Sequence, residues 1–190
     1  MKSNRRISKN KKINPHFWVF CEGETEEAYV SFLRAEYRLP VEIITKISGS
    51  RIDTRFINSF KKGKPTVKKD RDFLIYDADV PEIITRLKQI ESAILIASMP
   101  AIELWFLLHY KNQTSYLTES TCIRELENRN RNTYKKGVLD PSLKSKLKEK
   151  YNDACIRAKQ LQLFDNPSTN MYVFIEALEK VKQEKLASNG

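Results

Sequence analysis

The strongest constraint on the fold of this chain is a regular alternation of short apolar runs with helical periodicity, which continues to residue 110. The apolar runs predict strands at residues 16–21, 41–47, 72–77 and 92–97. The segments between and after them predict helices at residues 26–37, 51–62, 81–90 and 101–110. This order predicts an α/β fold with a mostly parallel sheet of about four strands, flanked by helices.

Strand patterns stop after Lys111, and the rest of the chain has helical character. Helices are predicted at residues 118–130, 141–163 and 167–187, the last two because Asp140-Pro141 and Asn166-Pro167 resemble helix starts. We therefore expect a basic lead-in (1–14), an α/β core (15–115) and a helical C-terminal region (116–190) packed on that core.

The charge balance favours an anionic partner. Lys and Arg number 34 against 24 Asp and Glu, a formal net charge of +10. A positive field of this size attracts nucleic acid or an anionic membrane surface, although solubility alone also explains it.

Several classes of protein are excluded by what the sequence lacks. Cys21, Cys122 and Cys155 are far apart and form no CxxC pair, so neither a disulfide framework nor structural zinc is expected. No apolar run approaches the roughly 18 residues of a membrane span, and the N-terminus has no signal-peptide core, so we expect a cytoplasmic protein without membrane insertion. The chain has no P-loop and is not expected to hydrolyse ATP itself.

Three carboxylates follow predicted strands. Glu22 comes directly after the first strand, and Asp77 and Asp79 end or follow the third. Ligands of open α/β sheets bind beyond the carboxyl ends of the strands, so these side chains converge if the two strands are neighbours. Two or three carboxylates suffice for Mg²⁺, or for Mn²⁺ in its place, because the ion keeps several waters. Asp79 before Pro81 could instead only cap a helix.

Basic residues in two segments are candidates for phosphate contacts. They are Lys61, Lys62 and Lys64 in a loop, and Arg129, Arg131, Lys135 and Lys136 around Tyr134. A solvated loop explains the second segment equally well. The lead-in could likewise be a nucleic-acid-binding arm or a solvated tail.

Four blocks of this sequence resemble a known family. Residues 20–29 (FCEGETEEAY), 77–79 (DAD), 98–110 (SMPAIELWFLLHY) and the turn at 166–169 (NPST) are similar, in this order, to the motifs of RloB-like proteins. The resemblance covers about residues 16–180. It implies a Toprim core, the metal-binding fold shared by topoisomerases, primases and overcoming-lysogenization-defect nucleases, and a role in phage exclusion.

The resemblance also implies roles for individual residues. Glu22 would be the Toprim glutamate, a general acid or base, and Asp77 and Asp79 the metal-binding pair. Many relatives carry a further acidic residue where this chain has Val80, which puts a second tightly held metal in doubt. Relatives are encoded beside restriction systems or an ATPase, so an ATPase subunit is a possible partner, and a homodimer stays open.

Glu26, Glu103 and His109 form a second tier of candidates. Glu103 is the one charge in an apolar helix, so it either joins the metal site or pairs with a core Arg or Lys. His109 lies six residues further on, which is not a same-face spacing, and a packing role is the simpler interpretation.

Two functions are therefore carried forward. The first is a Mg²⁺-dependent endonuclease acting on RNA, such as tRNA, or on DNA in prokaryotic antiphage defence. The second is a non-catalytic nucleic-acid-binding or sensing subunit of a defence complex, which keeps the same shape and depends on a partner.

Overall fold

The computed structural model describes residues 14–187. In them, five strands form one sheet: β1 (His16–Cys21), β2 (Glu42–Ile47), β3 (Arg71–Asp77), β4 (Ala93–Met99) and β5 (Ser168–Thr169). The strand order is β2-β1-β3-β4-β5, with the first four parallel and β5 antiparallel to β4. The predicted α/β class and mostly parallel sheet are confirmed, with a fifth strand added.

Eight α-helices of the described residues flank this sheet. They are α1 (Glu24–Tyr37), α2 (Thr54–Lys61), α3 (Pro81–Lys88), α4 (Glu103–Leu108), α5 (Glu119–Asn130), α6 (Pro141–Glu149), α7 (Tyr151–Lys159) and α8 (Tyr172–Ala187). None of them combines the length and apolarity needed to cross a membrane.

The side chains of β1 divide the hydrophobic core into two layers. Phe17, Val19 and Cys21 pack with α1 and with α4 to α8, whereas Trp18 and Phe20 pack with α2 and α3. Successive residues of a strand point to opposite faces, so a continuous apolar run is what a strand covered on both faces requires. The first layer contains residues from Phe17 to Leu178, so the C-terminal region completes the core of the sheet.

The predicted helix at 167–187 is wrong at its start. Ser168 and Thr169 form β5 instead, and α8 begins at Tyr172. The Ser98 and Thr169 hydroxyls are hydrogen-bonded at 2.8 Å, and the Asn170 side chain bonds Ala97 N and Leu95 O. Pairing with the open edge of β4 satisfies buried polar groups that a helix would leave unpaired.

The predicted helix at 141–163 is also wrong, because Lys150 (φ −115°, ψ 16°) separates α6 from α7. The break lets Leu143 and Leu147 on one side, and Ala154 and Ala158 on the other, all reach the core. The helix predicted from residue 51 begins at Thr54, because the Asp53 side chain accepts from Phe56 N, and Gly49–Arg51 forms a 3-10 turn.

Candidate functional site

The carboxyl ends of β1 and β3 lie side by side, as the metal-site hypothesis requires. Cys21 is in register with Ile75, and Glu22 N donates to Ile75 O at 3.0 Å. The Glu22 side chain turns toward β3, where its Oε2 accepts the Asp77 N–H at 2.9 Å. Backbone hydrogen bonds therefore fix the first two predicted carboxylates next to each other.

A third carboxylate comes from the first turn of α1. Glu26 is 4% exposed, and its Oε2 accepts the Gly23 N–H at 2.9 Å. This contact ties the helix start to the loop that carries Glu22. Burial raises the pKa of Glu26, and the nearby charges of Glu103 and Glu22 raise it further.

The fourth carboxylate, Glu103, begins α4. It is 1% exposed, and its Oε1 accepts the Tyr134 hydroxyl at 2.8 Å. Its buried Oε2 has no hydrogen-bond partner among residues 14–187. Next to it, the Ile102 N–H donates to Asp77 Oδ1 at 2.9 Å. The hydrogen-bond partner of Glu103 is thus a tyrosine, not the core Arg or Lys considered from the sequence.

These four side chains line one cavity of about 310 Å³, which we call the carboxylate cavity. Gly23, Glu24, Thr25 and Lys136 complete its lining. The Lys136 ammonium is exposed and pairs with Glu119, and its hydrogen bond to Glu119 raises the Lys136 pKa. The cavity is therefore acidic inside, with one lysine in its lining.

Burial, and after it the crowding of like charges, raises the pKa values of the acids in the carboxylate cavity. Burial, followed by the charges of Glu26, Glu103 and Glu22, raises the pKa of Asp77 to about 9. Burial also raises the pKa of Glu22, to which Asp79 adds and which Lys136 opposes. Partly dehydrated carboxylates at this spacing resist ionising together unless a cation joins them.

Asp79 lies apart from this group. Its side chain is exposed, and it is not among the residues that line the carboxylate cavity, although its charge reaches Glu22. Val80, not Asp79, occupies the N-cap position of α3, so the alternative role as a helix cap is not seen either.

His109 is separated from the carboxylates, as its spacing from Glu103 predicted. Its ring is 2% exposed and packs edge-on against Trp105, and its Nδ1 lies 2.8 Å from Trp105 O. Burial lowers the pKa of His109 to about 4. The contacts describe a neutral core histidine.

The two basic segments lie at different ends of the sheet. Lys61 pairs with Asp72 at 2.8 Å, and Lys64 lies over the Phe60 ring, so they and Lys62 belong to the amino ends of the strands. Asp77 is five residues further along β3, about 16 Å away. In the second segment, Lys136 lines the carboxylate cavity, whereas Arg129, Arg131 and Lys135 are exposed and are not among the residues that line it. The lead-in falls mostly outside the described residues.

The segment 134–137, which we call the cavity hairpin, is attached to the site at two points. Besides the Tyr134–Glu103 bond, the Gly137 N–H donates to Thr25 Oγ1 at 3.0 Å. A bridge between Lys135 and Val138 closes its turn. Sequence reasoning treated Tyr134 only as part of a basic surface, since no motif linked it to Glu103.

The acidic side chains that line the cavity are chemically suited to a hard divalent cation, because they offer carboxylate oxygens, among them the unpartnered Glu103 Oε2. However, between residues 14 and 187 no three His, Cys, Asp or Glu side chains are grouped closely enough to form a complete metal-binding set. The side chains that line the cavity would have to draw together around an ion.

Fold and site together define an α/β protein with a mostly parallel sheet and a cluster of buried and half-buried acids at its carboxyl edge. The family profile described as RloB-like protein matches residues 17–178. The match spans most of the chain, which therefore belongs to the RloB-like protein family. No curated protein and no solved structure matches it significantly.

Proposed function

We propose that this protein is a Mg²⁺-dependent nuclease of Toprim type. The observation that carries the proposal is the grouping of Glu22, Glu26, Asp77 and Glu103 in one cavity, with the pKa of Asp77 raised to about 9. Helix caps and loop contacts need single carboxylates, whereas four acids held against their mutual repulsion suit a bound cation.

Glu22, Asp77 and Glu103 would hold Mg²⁺ or Mn²⁺, and the bound ion would supply positive charge for phosphodiester oxygens and a more acidic water. Glu22 keeps one carboxylate oxygen free of the Asp77 N–H, and its raised pKa suits it to take up or release a proton. Lys136, in the lining of the cavity, is placed to contact a phosphate of the substrate. Glu26 holds the Gly23 loop in position.

The biological setting rests on the family resemblance. We propose a role in antiphage defence in the cytoplasm, with an ATPase partner, on RNA such as tRNA or on DNA. No described side chain distinguishes a 2′-hydroxyl, so the choice of nucleic acid is left to experiment.

A non-catalytic nucleic-acid-binding or sensing subunit is the second candidate. Two observations favour it: the incomplete metal-binding group among the described residues, and the exposed position of Asp79 outside the cavity. The family resemblance adds Val80, where many relatives are acidic. Such a subunit would bind nucleic acid and leave cleavage to a partner.

The deciding experiment combines calorimetry with cleavage. Mn²⁺ and Mg²⁺ are titrated into the purified protein, and labelled single- and double-stranded RNA and DNA are incubated with it in each metal or in EDTA. Metal binding with metal-dependent cleavage, both lost in Asp77→Asn, supports the nuclease. Nucleic-acid binding without cleavage, also in the presence of the protein encoded next to it, supports the sensing subunit.

A further inference from the structure

A group of exposed cations lies at the same carboxyl edge of the sheet as the carboxylate cavity, on the opposite face. It consists of Lys46 at the end of β2, Arg51 in the 3-10 turn, Arg55 in α2 and Arg86 in α3. All four side chains are exposed. We call this group the carboxyl-edge patch, and none of its members belonged to the candidates chosen from the sequence.

Hydrogen bonds tie the loop that carries the patch to the strands that carry the cavity. Ser48 N donates to Cys21 O at 2.9 Å, directly before Glu22. The Tyr76 hydroxyl donates to Gly49 O at 2.9 Å, directly before Asp77. The patch and the cavity therefore lie at the ends of the same two strands, β1 and β3, which fixes their relative position.

The fold gathers these cations from four separate elements. Arg86 donates through its guanidinium to Ser50 O, which places α3 against the residue that precedes Arg51. Lys46 points to the same face as Ile44, which packs in the α2–α3 layer. Asp53, the nearest acid in sequence, uses its side chain to cap α2 by accepting from Phe56 N.

The cations of the patch form no salt bridges, although the Arg86 guanidinium also holds the Ser50 carbonyl. Among the salt bridges of residues 14–187, none includes Lys46, Arg51, Arg55 or Arg86. By contrast, Lys61, Lys111 and Lys148 each pair with a carboxylate. Unpaired cations clustered next to an acidic cavity are what a bound polyanion requires, because the cavity itself repels phosphates.

We infer that the carboxyl-edge patch binds the phosphate backbone of a nucleic acid strand on one side of the bond that enters the carboxylate cavity. The inference rests on the proposed nuclease only where it says that a phosphodiester bond enters the cavity. Binding of the strand to the patch does not require catalysis. The strand crosses the carboxyl edge of the sheet, with its flanking phosphates on Arg51 and Arg86. The same surface would serve a sensing subunit equally.

The test compares two double variants with equal changes in charge. Arg51→Gln/Arg86→Gln alters the patch, and Lys68→Gln/Arg71→Gln alters exposed cations at the other end of the sheet, neither of them a candidate for phosphate contacts. Binding of fluorescein-labelled 20-nucleotide RNA and DNA is measured by anisotropy in EDTA, from 50 to 200 mM KCl. Lys46→Gln/Arg55→Gln repeats the test without touching the Arg86–Ser50 contact, in case the first variant folds poorly.

Both patch variants should bind at least tenfold more weakly than the wild type. The slope of log affinity against log salt concentration should also be smaller by about 1.4, because two phosphate contacts with a single strand are lost. The control should bind within twofold of the wild type. Wild-type affinity in the patch variants, an equal loss in the control, or no binding by the wild type overturns the inference. If binding depends on the patch but the protein does not cleave nucleic acid with metal, the nuclease proposal fails and the inference about the patch stands.

Discussion

The Tyr134 hydroxyl donates to Oε1 of Glu103 at 2.8 Å, while Oε2 of the same carboxylate is buried without a hydrogen-bond partner in the described chain. One oxygen of Glu103 is thus fixed by the protein, and the other is the one that would bind the cation of the proposed function. Tyr134 is a positioning residue in this arrangement, because it acts on the cavity through Glu103.

Tyr134→Phe should weaken Mn²⁺ binding severalfold, because Glu103 loses the bond that orients it. Without metal the variant should also be less stable by about 1–3 kcal/mol, the cost of an unsatisfied buried acceptor. Calorimetry and thermal denaturation with and without Mn²⁺ measure both effects. Tyr116→Phe, at a tyrosine that is 73% exposed, is the matched control and should change neither. Unaltered metal affinity in Tyr134→Phe would show that the bond is merely structural.

Asp77→Asn and Asp79→Asn separate the two acids that the sequence treated as a pair. Asp77 lies in the carboxylate cavity and Asp79 does not, so only Asp77→Asn should reduce metal affinity and cleavage, on the order of 100-fold. At neutral pH the metal-free fold must bind a proton at Asp77, whose pKa is raised to about 9, whereas the unfolded chain leaves it ionised. Asp77→Asn removes this cost and should raise the melting temperature of the metal-free protein by about 2–4 °C. Equal losses in both variants would place Asp79 at the metal after all.

The cavity hairpin can be tested at Gly137 (φ +75°), where an added Cβ would lie 3.1 Å from Glu24 Cβ. Gly63 has nearly the same φ of +76° but open space around it, so it is the control for backbone strain. Gly63→Ala should cost about 1 kcal/mol. Gly137→Ala should cost more in urea unfolding and should also weaken Mn²⁺ binding, because the hairpin must shift away from α1. Equal stability losses with unchanged metal binding would exclude the hairpin from the site.

His109 predicts a pH dependence of stability. Its pKa is lowered to about 4, below the 6.5 of the unfolded chain, so its contribution is present above pH 6.5 and is lost as the pH falls toward 4. From pH 7.5 to pH 5 the wild type should lose about 2 kcal/mol more than His109→Gln, whose amide can still donate to Trp105 O. Urea unfolding at both pH values measures the difference. Parallel losses would mean that His109 is protonated in the fold.

Strands β1, β3 and β4 could be predicted because each contains a continuous apolar run, and β2 because β-branched residues dominate it despite Glu42 and Lys46. Strand β5 could not, since Ser168 and Thr169 are polar and their burial depends on the distant edge of β4. The break at Lys150 has no Pro or Gly to mark it and follows from how α6 and α7 pack. Strand β5 and the break at Lys150 both depend on long-range packing, which no local sequence pattern encodes.

The candidate site, like the sheet, could be predicted only in part from the sequence. Glu22 and Asp77 follow strands, so the general rule for open sheets located them. Glu26 and Glu103 reach the cavity only through the packing of α1 and α4, and the spacing of the sequence left their roles open. Arg51 and Arg86 are separated by 34 residues, and only the Arg86–Ser50 contact reveals that they share a surface.

The attachment of the cavity hairpin to Thr25 and Glu103 also sets an order of events during synthesis. A ribosome releases Glu22 and Asp77 long before Tyr134, and β5 follows later still. A nascent chain therefore carries its acids without the partner that orients Glu103, and its sheet stays open at β4. The site is finished only after Tyr134 has been translated and the sheet only after β5, so products truncated before residue 134 should not bind metal.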